Sequence, residues 1–226
     1  MPPVYSPAFA AGIPTKIQNF MALYNLPYPR AQSYDDCHNE FVQKRKNISN
    51  SQTLNLLSVN LYACLASWGM VSRKSLLMQH NYQVLTDAVK IVCESKYDWL
   101  VDVDVYSSSF NEANYICDVI KIKNKLLNAF GKPAPSETLI SKIMLITLGC
   151  IPAYDSKVKA TMRQQNIKPI LDCQGMVDII EFAKQYKNEI TAQMKIYNNQ
   201  KINNVMINHS VMKYVDAILW DKIVSA

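Results

Sequence analysis

Residues 149–159 place one carboxylate and two cations at the start of a helix. A loop containing Gly149 and Pro152 leads from an apolar stretch to Asp155, and a basic helix follows. Backbone N–H groups at a helix N-terminus bind anions, and nearby lysines add to that attraction. The pattern therefore predicts a carboxylate at the mouth of the core, beside a docking point for a phosphate backbone. The candidate residues are Tyr154, Asp155, Ser156, Lys157 and Lys159.

The same aspartate has a purely structural alternative. An Asp before Ser at a helix start is a favourable N-cap, which contributes about 1 kcal/mol without any catalysis. Tyr154 has two interpretations as well, since a tyrosine ring packs in a core or stacks on a ligand. From the sequence, both pairs of alternatives stay open.

The elements that position this loop are helices. Apolar residues recur every three or four positions along most of the chain, which is typical of amphipathic helices around a core. An all-α, compact multi-helix fold is predicted, with the nearly all-apolar helix 136–148 at its centre. The expected helices are 15–24, 34–47, 53–68, 73–79, 82–93, 112–130, 136–148, one that begins at 155 or 156, 177–197 and 210–223, while 97–106 is helical or irregular.

A length of 226 residues fits one domain or two small lobes. We expect a single all-helical domain over 1–226. Six prolines within 1–30 indicate an extended arm around the first short helix, because proline fixes φ and removes a backbone donor. If a cleft divides the domain, 31–130 and 131–226 are its sub-lobes.

Composition excludes several function classes. The five glycines lie far apart, which excludes the phosphate-binding loops of Rossmann and P-loop proteins. The six cysteines include no C-x-x-C pair, which indicates thiols of a reducing compartment rather than disulfides. No apolar run approaches the ~20 residues of a membrane span, and no signal-peptide pattern is visible. These features predict a soluble, cytoplasmic protein, and the net charge of +6 favours a nucleic-acid partner.

The segment 139–162, LISKIMLITLGCIPAYDSKVKATM, resembles the helix-hairpin-helix DNA glycosylase superfamily over 24 of the 226 residues. Members run from an apolar helix through a Gly/Pro loop to a catalytic Asp that opens a helix with nearby basic residues. The resemblance implies that Asp155 stabilises the positive charge that develops on the sugar as the base departs, and orients the attacking water. It implies double-stranded DNA with one flipped nucleotide as the partner, and no cofactor. Divergence from housekeeping members favours a modified base in phage DNA, as in antiviral defence, or a damaged base as the substrate.

The hairpin before the apolar helix departs from the family pattern. Its glycine-containing turn is replaced by PAPSETLIS, so the backbone grip on phosphate is missing or remodelled. Bifunctional members carry a Schiff-base lysine in this hairpin. Lys142 is the nearest candidate, but it lies closer to Asp155 than the family spacing. The resemblance therefore implies a monofunctional enzyme, in which Lys142 is a phosphate contact or a surface residue.

A second candidate site lies at 67–75, SWGMVSRKS. Trp68 ends an apolar helix and Gly69 permits a tight turn. Arg73 and Lys74 then begin the next helix behind the hydroxyl of Ser72. The pattern predicts an anion pocket or a wall for a flipped nucleotide, and its alternative is an ordinary helix corner with Trp68 in the core.

Other polar residues lack a supporting pattern. Asp36, His38 and Glu40 alternate and so do not share a helix face, which argues against a metal site. Asp98 and Asp102 would share a helical face and hold Mg²⁺ there, or form a solvated acidic surface. A non-catalytic helical module that binds nucleic acid or a protein remains the alternative function, and a monomer is the expected oligomeric state.

Overall fold

The helical pattern of the sequence is realised in a computed structural model that describes residues 6–27, 29–72, 75–202 and 205–220. Within these ranges the fold is all-α, as predicted. Its ten α-helices are α1 Pro7–Ala22, α2 Gln32–Lys44, α3 Ser51–Ser67, α4 Thr86–Val92, α5 Glu112–Phe130, α6 Glu137–Leu148, α7 Ser156–Gln164, α8 Cys173–Gln185, α9 Lys187–Tyr197 and α10 Val211–Trp220. Short 3₁₀ helices occupy Leu23–Asn25, Arg45–Asn47, Leu76–Gln79, Tyr82–Leu85 and Ser95–Leu100.

Helix α6 forms the centre of the fold, as its composition predicts. Every residue from Leu139 to Leu148 is buried, and α2, α3, α4 and α5 pack around it. The Ser136 hydroxyl caps its N-terminus by accepting from the Leu139 N–H at 3.2 Å. Buried apolar side chains from all ten helices belong to one core cluster, so 31–130 and 131–226 contribute to the same core.

The expected extended arm over 1–30 is wrong for the described residues, and the expected helix 15–24 is too short, because its residues belong to the longer α1 and to the 3₁₀ turn that follows it. Helix α1 starts much earlier, at Pro7, where the missing proline N–H would have had no partner anyway. Pro14 lies inside the helix without ending it. Burial of Ile13 and Ile17 against the core explains why tertiary packing outweighs the proline penalty.

Several smaller expectations also need correction. The expected helix 177–197 is two helices, α8 and α9, which are separated at Tyr186. Most of the expected helix 82–93 is α4, preceded by a 3₁₀ turn at Tyr82–Leu85. The expected helix 73–79 is a 3₁₀ turn at Leu76–Gln79, with residues 73 and 74 outside the described ranges, and 34–47 ends in a 3₁₀ turn. Two-residue strands, β1 Lys201–Ile202 and β2 Val205–Met206, form an antiparallel pair that the helical patterns do not predict. Residues 221–223 of the last expected helix lie outside the described ranges.

The helices and the cysteines bear on two predictions from composition. No helix within the described residues has the length and apolar content that crossing a membrane requires. All six cysteines are free thiols; Cys117 and Cys173 are exposed and the other four are buried.

Gly149, which ends α6, is required by both conformation and space. Its φ is +61°, and a Cβ there would collide with the Asp102 carboxylate. We expect Gly149→Ala to lower the free energy of unfolding by at least about 1 kcal/mol, since a left-handed L-residue costs that much before any clash. Urea denaturation measures the change.

Gly12 provides the matched control, because it lies within α1 and nothing among the described residues would meet its Cβ within 4 Å. Gly12→Ala should be neutral or stabilising by about 0.5–1 kcal/mol, since alanine favours the helix. Equal effects of the two substitutions would contradict the role assigned to Gly149.

Candidate functional site

A cavity of about 480 Å³ opens between the N-terminal helices, the loop before α7 and the last helix. Its walls come from α1 and the turn after it, the end of α3, the middle of α6 and α10. Its size lies within the range of pockets for small organic ligands. Among the described residues, the charged side chains that line it are Arg30, Lys142, Asp155, Lys213 and Asp216. The aromatic ones are Phe20, Trp68 and Trp220.

Asp155 has two roles in this geometry. It is the N-cap of α7, and its Oδ1 accepts hydrogen bonds from the N–H groups of Lys157 and Val158, both at 3.0 Å. The predicted cap is therefore confirmed. Asp155 also lines the cavity, so the cap fixes the carboxylate at the rim of a ligand-sized pocket.

Lys142 enters the cavity from α6, and of its two expected roles, a phosphate contact or a surface residue, the surface position is wrong. Its side chain is buried, and its Nζ donates to the Trp68 carbonyl at 3.3 Å. Burial lowers the pKa of Lys142 below its ordinary value, and the charges of Asp155 and Asp216 only partly oppose that effect. The lysine is thus an inner-wall residue beside the candidate carboxylate.

Lys213 and Asp216 form a buried ion pair at the cavity wall that the sequence reasoning missed. The Lys213 Nζ lies 3.0 Å from Asp216 Oδ2, and Asp216 Oδ1 accepts from the Ala153 N–H at 2.9 Å. The second of these bonds ties α10 to the loop that carries Asp155. The available signal was a Lys and an Asp three positions apart in the otherwise apolar helix VMKYVDAILW.

Two tryptophans contribute aromatic surface to the cavity. Trp68 stacks on Tyr34, with ring centroids 6.1 Å apart and an interplanar angle of 15°. It is only partly buried, so it packs against the core on one side and lines the cavity on the other. Trp220 lies at the end of α10, and the Lys157 Nζ is 4.1 Å from its ring centroid.

Other candidate residues have different surroundings. Tyr154 is fully buried, and burial raises the pKa of its hydroxyl above the ordinary value, so its ring packs in the core instead of facing a ligand. Ser156 is exposed at the start of α7. Lys159 forms an ion pair with Glu137 at 2.6 Å. Arg73 and Lys74 lie outside the described residues.

Two buried histidines take part in polar contacts that the sequence did not indicate. His38 Nε2 lies within hydrogen-bond distance of Asp102 Oδ2, at 2.9 Å. The Asp35 carboxylate lies 2.8 Å from His209 Nε2 and accepts a hydrogen bond from the Tyr24 hydroxyl at 2.5 Å. Burial lowers the pKa of His38, but the Asp102 carboxylate outweighs it and leaves that pKa above its ordinary value. These contacts connect distant segments of the core.

The expected shared face of Asp98 and Asp102 is wrong. Asp98 lies in a 3₁₀ helix and pairs with Arg45 at 2.8 Å, whereas Asp102 lies outside any helix with a φ of +49°. Within the described ranges, no three His, Cys, Asp or Glu side chains are grouped as metal ligands would be.

Comparison with protein-family models, with curated proteins and with solved structures found no match to this chain.

Proposed function

We propose that the protein is a monofunctional DNA N-glycosylase that binds a flipped base in the aromatic-walled cavity, with Asp155 as the catalytic carboxylate. The observation that carries the proposal is the position of Asp155. It lines a cavity whose walls also include Trp68 and Trp220. Aromatic side chains stack on a base that has been flipped out of the DNA duplex, and a carboxylate beside the sugar stabilises a positively charged transition state.

The chemistry follows from this placement. The C1′–N bond breaks with its electron pair going to the base, and the sugar develops positive charge. The Asp155 carboxylate stabilises that charge and orients a water molecule. The water gives its hydroxyl to C1′ and its proton to the departing base. The products are a free base and an abasic site.

The N-cap bonds support this role because they hold the carboxylate in place. Asp155 Oδ1 accepts two backbone N–H groups, and no hydrogen bond of Oδ2 occurs within the described part of the chain. The second oxygen is therefore free to act on a substrate.

The test is excision of bases from defined duplexes. The purified protein is incubated with unmodified DNA and with DNA that carries uracil, 8-oxoguanine, 5-hydroxymethylcytosine or 7-methylguanine, and alkali then cleaves at abasic sites. We expect abasic sites in at least one modified duplex and none in the unmodified one. Cleavage no greater than that of the same duplex without protein, in every modified duplex, would overturn the proposal.

The N-cap also favours a second candidate, a non-catalytic module that binds nucleic acid or a protein. In that case Asp155 serves folding alone. DNA affinity that falls steeply with added salt would identify phosphate contacts and a nucleic-acid partner. Affinity without a salt dependence would point to a protein partner.

A further inference from the structure

Lysine ammonium groups lie close to the aromatic rings of the cavity wall. The Lys213 Nζ lies 5.1 Å from the Trp68 ring centroid and 4.8 Å from that of Phe20. The Lys142 Nζ lies 5.6 Å from Trp68. Each ammonium group occupies the attractive field that an aromatic ring offers to a cation. A positively charged base stacked on these rings would therefore meet like charge at close range.

The charged side chains that line the cavity also carry an excess of positive charge. Of the charged side chains that line it within the described ranges, three are cationic and two are carboxylates. Lys157 adds a further cation over Trp220. Because the cavity is partly withdrawn from water, these charges are less screened than surface ones. The pocket therefore attracts electron-rich groups.

Lys213 also has hydrogen-bonding capacity to spare. It is 2% exposed, and an ammonium group carries three N–H donors. One donor goes to Asp216 Oδ2, and aromatic rings of Phe20, Tyr34 and Trp68 surround the same nitrogen. No other hydrogen bond of this nitrogen occurs within the described residues. A ligand oxygen in the cavity would supply the acceptor that a buried donor requires.

We propose, resting on the proposed function, that the pocket selects uncharged or anionic bases with an acceptor oxygen and rejects positively charged alkylated bases. Lys213 is the specificity-determining donor to that oxygen, and Asp216 is the positioning residue that holds it. The aromatic wall provides the stacking surface for a base. It does not bind a positively charged base, because Lys142 and Lys213 already make the cation–π contacts with its rings. The substrate class is therefore an oxo-base.

A matched pair of guanine lesions tests this selectivity. Both 8-oxoguanine and 7-methylguanine keep the same ring carbonyl, but only 7-methylguanine carries a formal positive charge. Single-turnover excision is measured for each duplex, and each rate is divided by the spontaneous depurination rate of the same duplex. We expect the normalised rate for 8-oxoguanine to be at least about 10²-fold higher than that for 7-methylguanine. The reason is that a positively charged base beside the lysines of the cavity is strongly destabilised by like-charge repulsion.

Two variants separate the pocket pair from a surface pair. Lys213→Met with Asp216→Asn removes both buried charges at similar volume, which preserves folding better than one unpaired charge would. It should reduce the preference to less than about 10-fold. Asp87→Asn with Lys90→Met removes an exposed ion pair of 2.9 Å and should leave the preference unchanged. Circular dichroism confirms that both variants are folded.

The outcomes distinguish the two proposals. Equal normalised excision of both lesions, or a preference that persists in the pocket variant, overturns the selectivity while the glycosylase function stands. If no duplex yields abasic sites, the glycosylase function fails, and tryptophan fluorescence then decides selectivity by titration with 8-oxoguanosine and 7-methylguanosine. Tighter binding of 8-oxoguanosine, lost in the pocket variant, supports the oxo-base pocket, and equal binding overturns it.

Discussion

Asp155→Asn should lower the single-turnover rate of base excision by at least about 10²-fold, a size typical of removing one electrostatic stabiliser of a transition state. Asparagine keeps the side-chain oxygen that caps α7, so the free energy of unfolding should change by less than about 0.5 kcal/mol. The substitution therefore removes the charge and leaves the local structure. The measurements are excision on the best substrate duplex and urea denaturation.

Asp172 gives the matched control for this substitution. It caps α8 in the same way, with Oδ1 accepting from the Gly175 N–H at 2.9 Å, but it does not line the cavity. Asp172→Asn should leave excision unchanged. If Asp155→Asn retained full activity, the carboxylate would be a cap alone and the proposed mechanism would be wrong.

Asp216→Ala should cost about 3–5 kcal/mol of folding free energy, the range for removing one partner of a buried ion pair. Asp216 is 6% exposed and Lys213 is 2% exposed, so the substitution leaves a buried ammonium group without its carboxylate. It also removes the acceptor of the Ala153 N–H. Urea denaturation measures the loss.

An exposed ion pair with the same spacing isolates the contribution of burial. Asp87 and Lys90 are also three positions apart, but both are largely exposed. Asp87→Ala should therefore change stability by no more than about 1 kcal/mol. Adding Lys213→Met to Asp216→Ala should recover much of the loss, because no unpaired charge then remains. Equal losses for Asp216→Ala and Asp87→Ala would contradict the burial of the pair.

Local signals predicted much of the fold correctly. Apolar spacing located α5 at its observed bounds. Gly69, Gly131 and Gly149, which all have positive φ, follow the last residues of α3, α5 and α6. The sequence misled where packing outweighs local preference. Pro14 lies within α1 because the nearby Ile13 and Ile17 are buried in the core, and no local signal marks the interruption of the helix at Tyr186.

The candidate site was predictable only in part. Asp155 and Trp68 carry strong local patterns, a cap before a basic helix and the end of an apolar helix, and both line the cavity. The partners that complete the cavity come from α1 and α10, far away in sequence. Spacing within one helix cannot show that Lys213 and Asp216 face that cavity, since the same spacing also describes a solvated pair.

The buried contact of Asp35 with His209 has a consequence for synthesis of the chain. The two residues are 174 positions apart. At about 5–20 residues per second, the ribosome needs roughly 10–35 s to add the histidine after the aspartate. During that interval the nascent N-terminal helices lack a partner that their core requires. Their native packing therefore waits until His209 has been synthesised, and apolar surface stays open to chaperones during that interval.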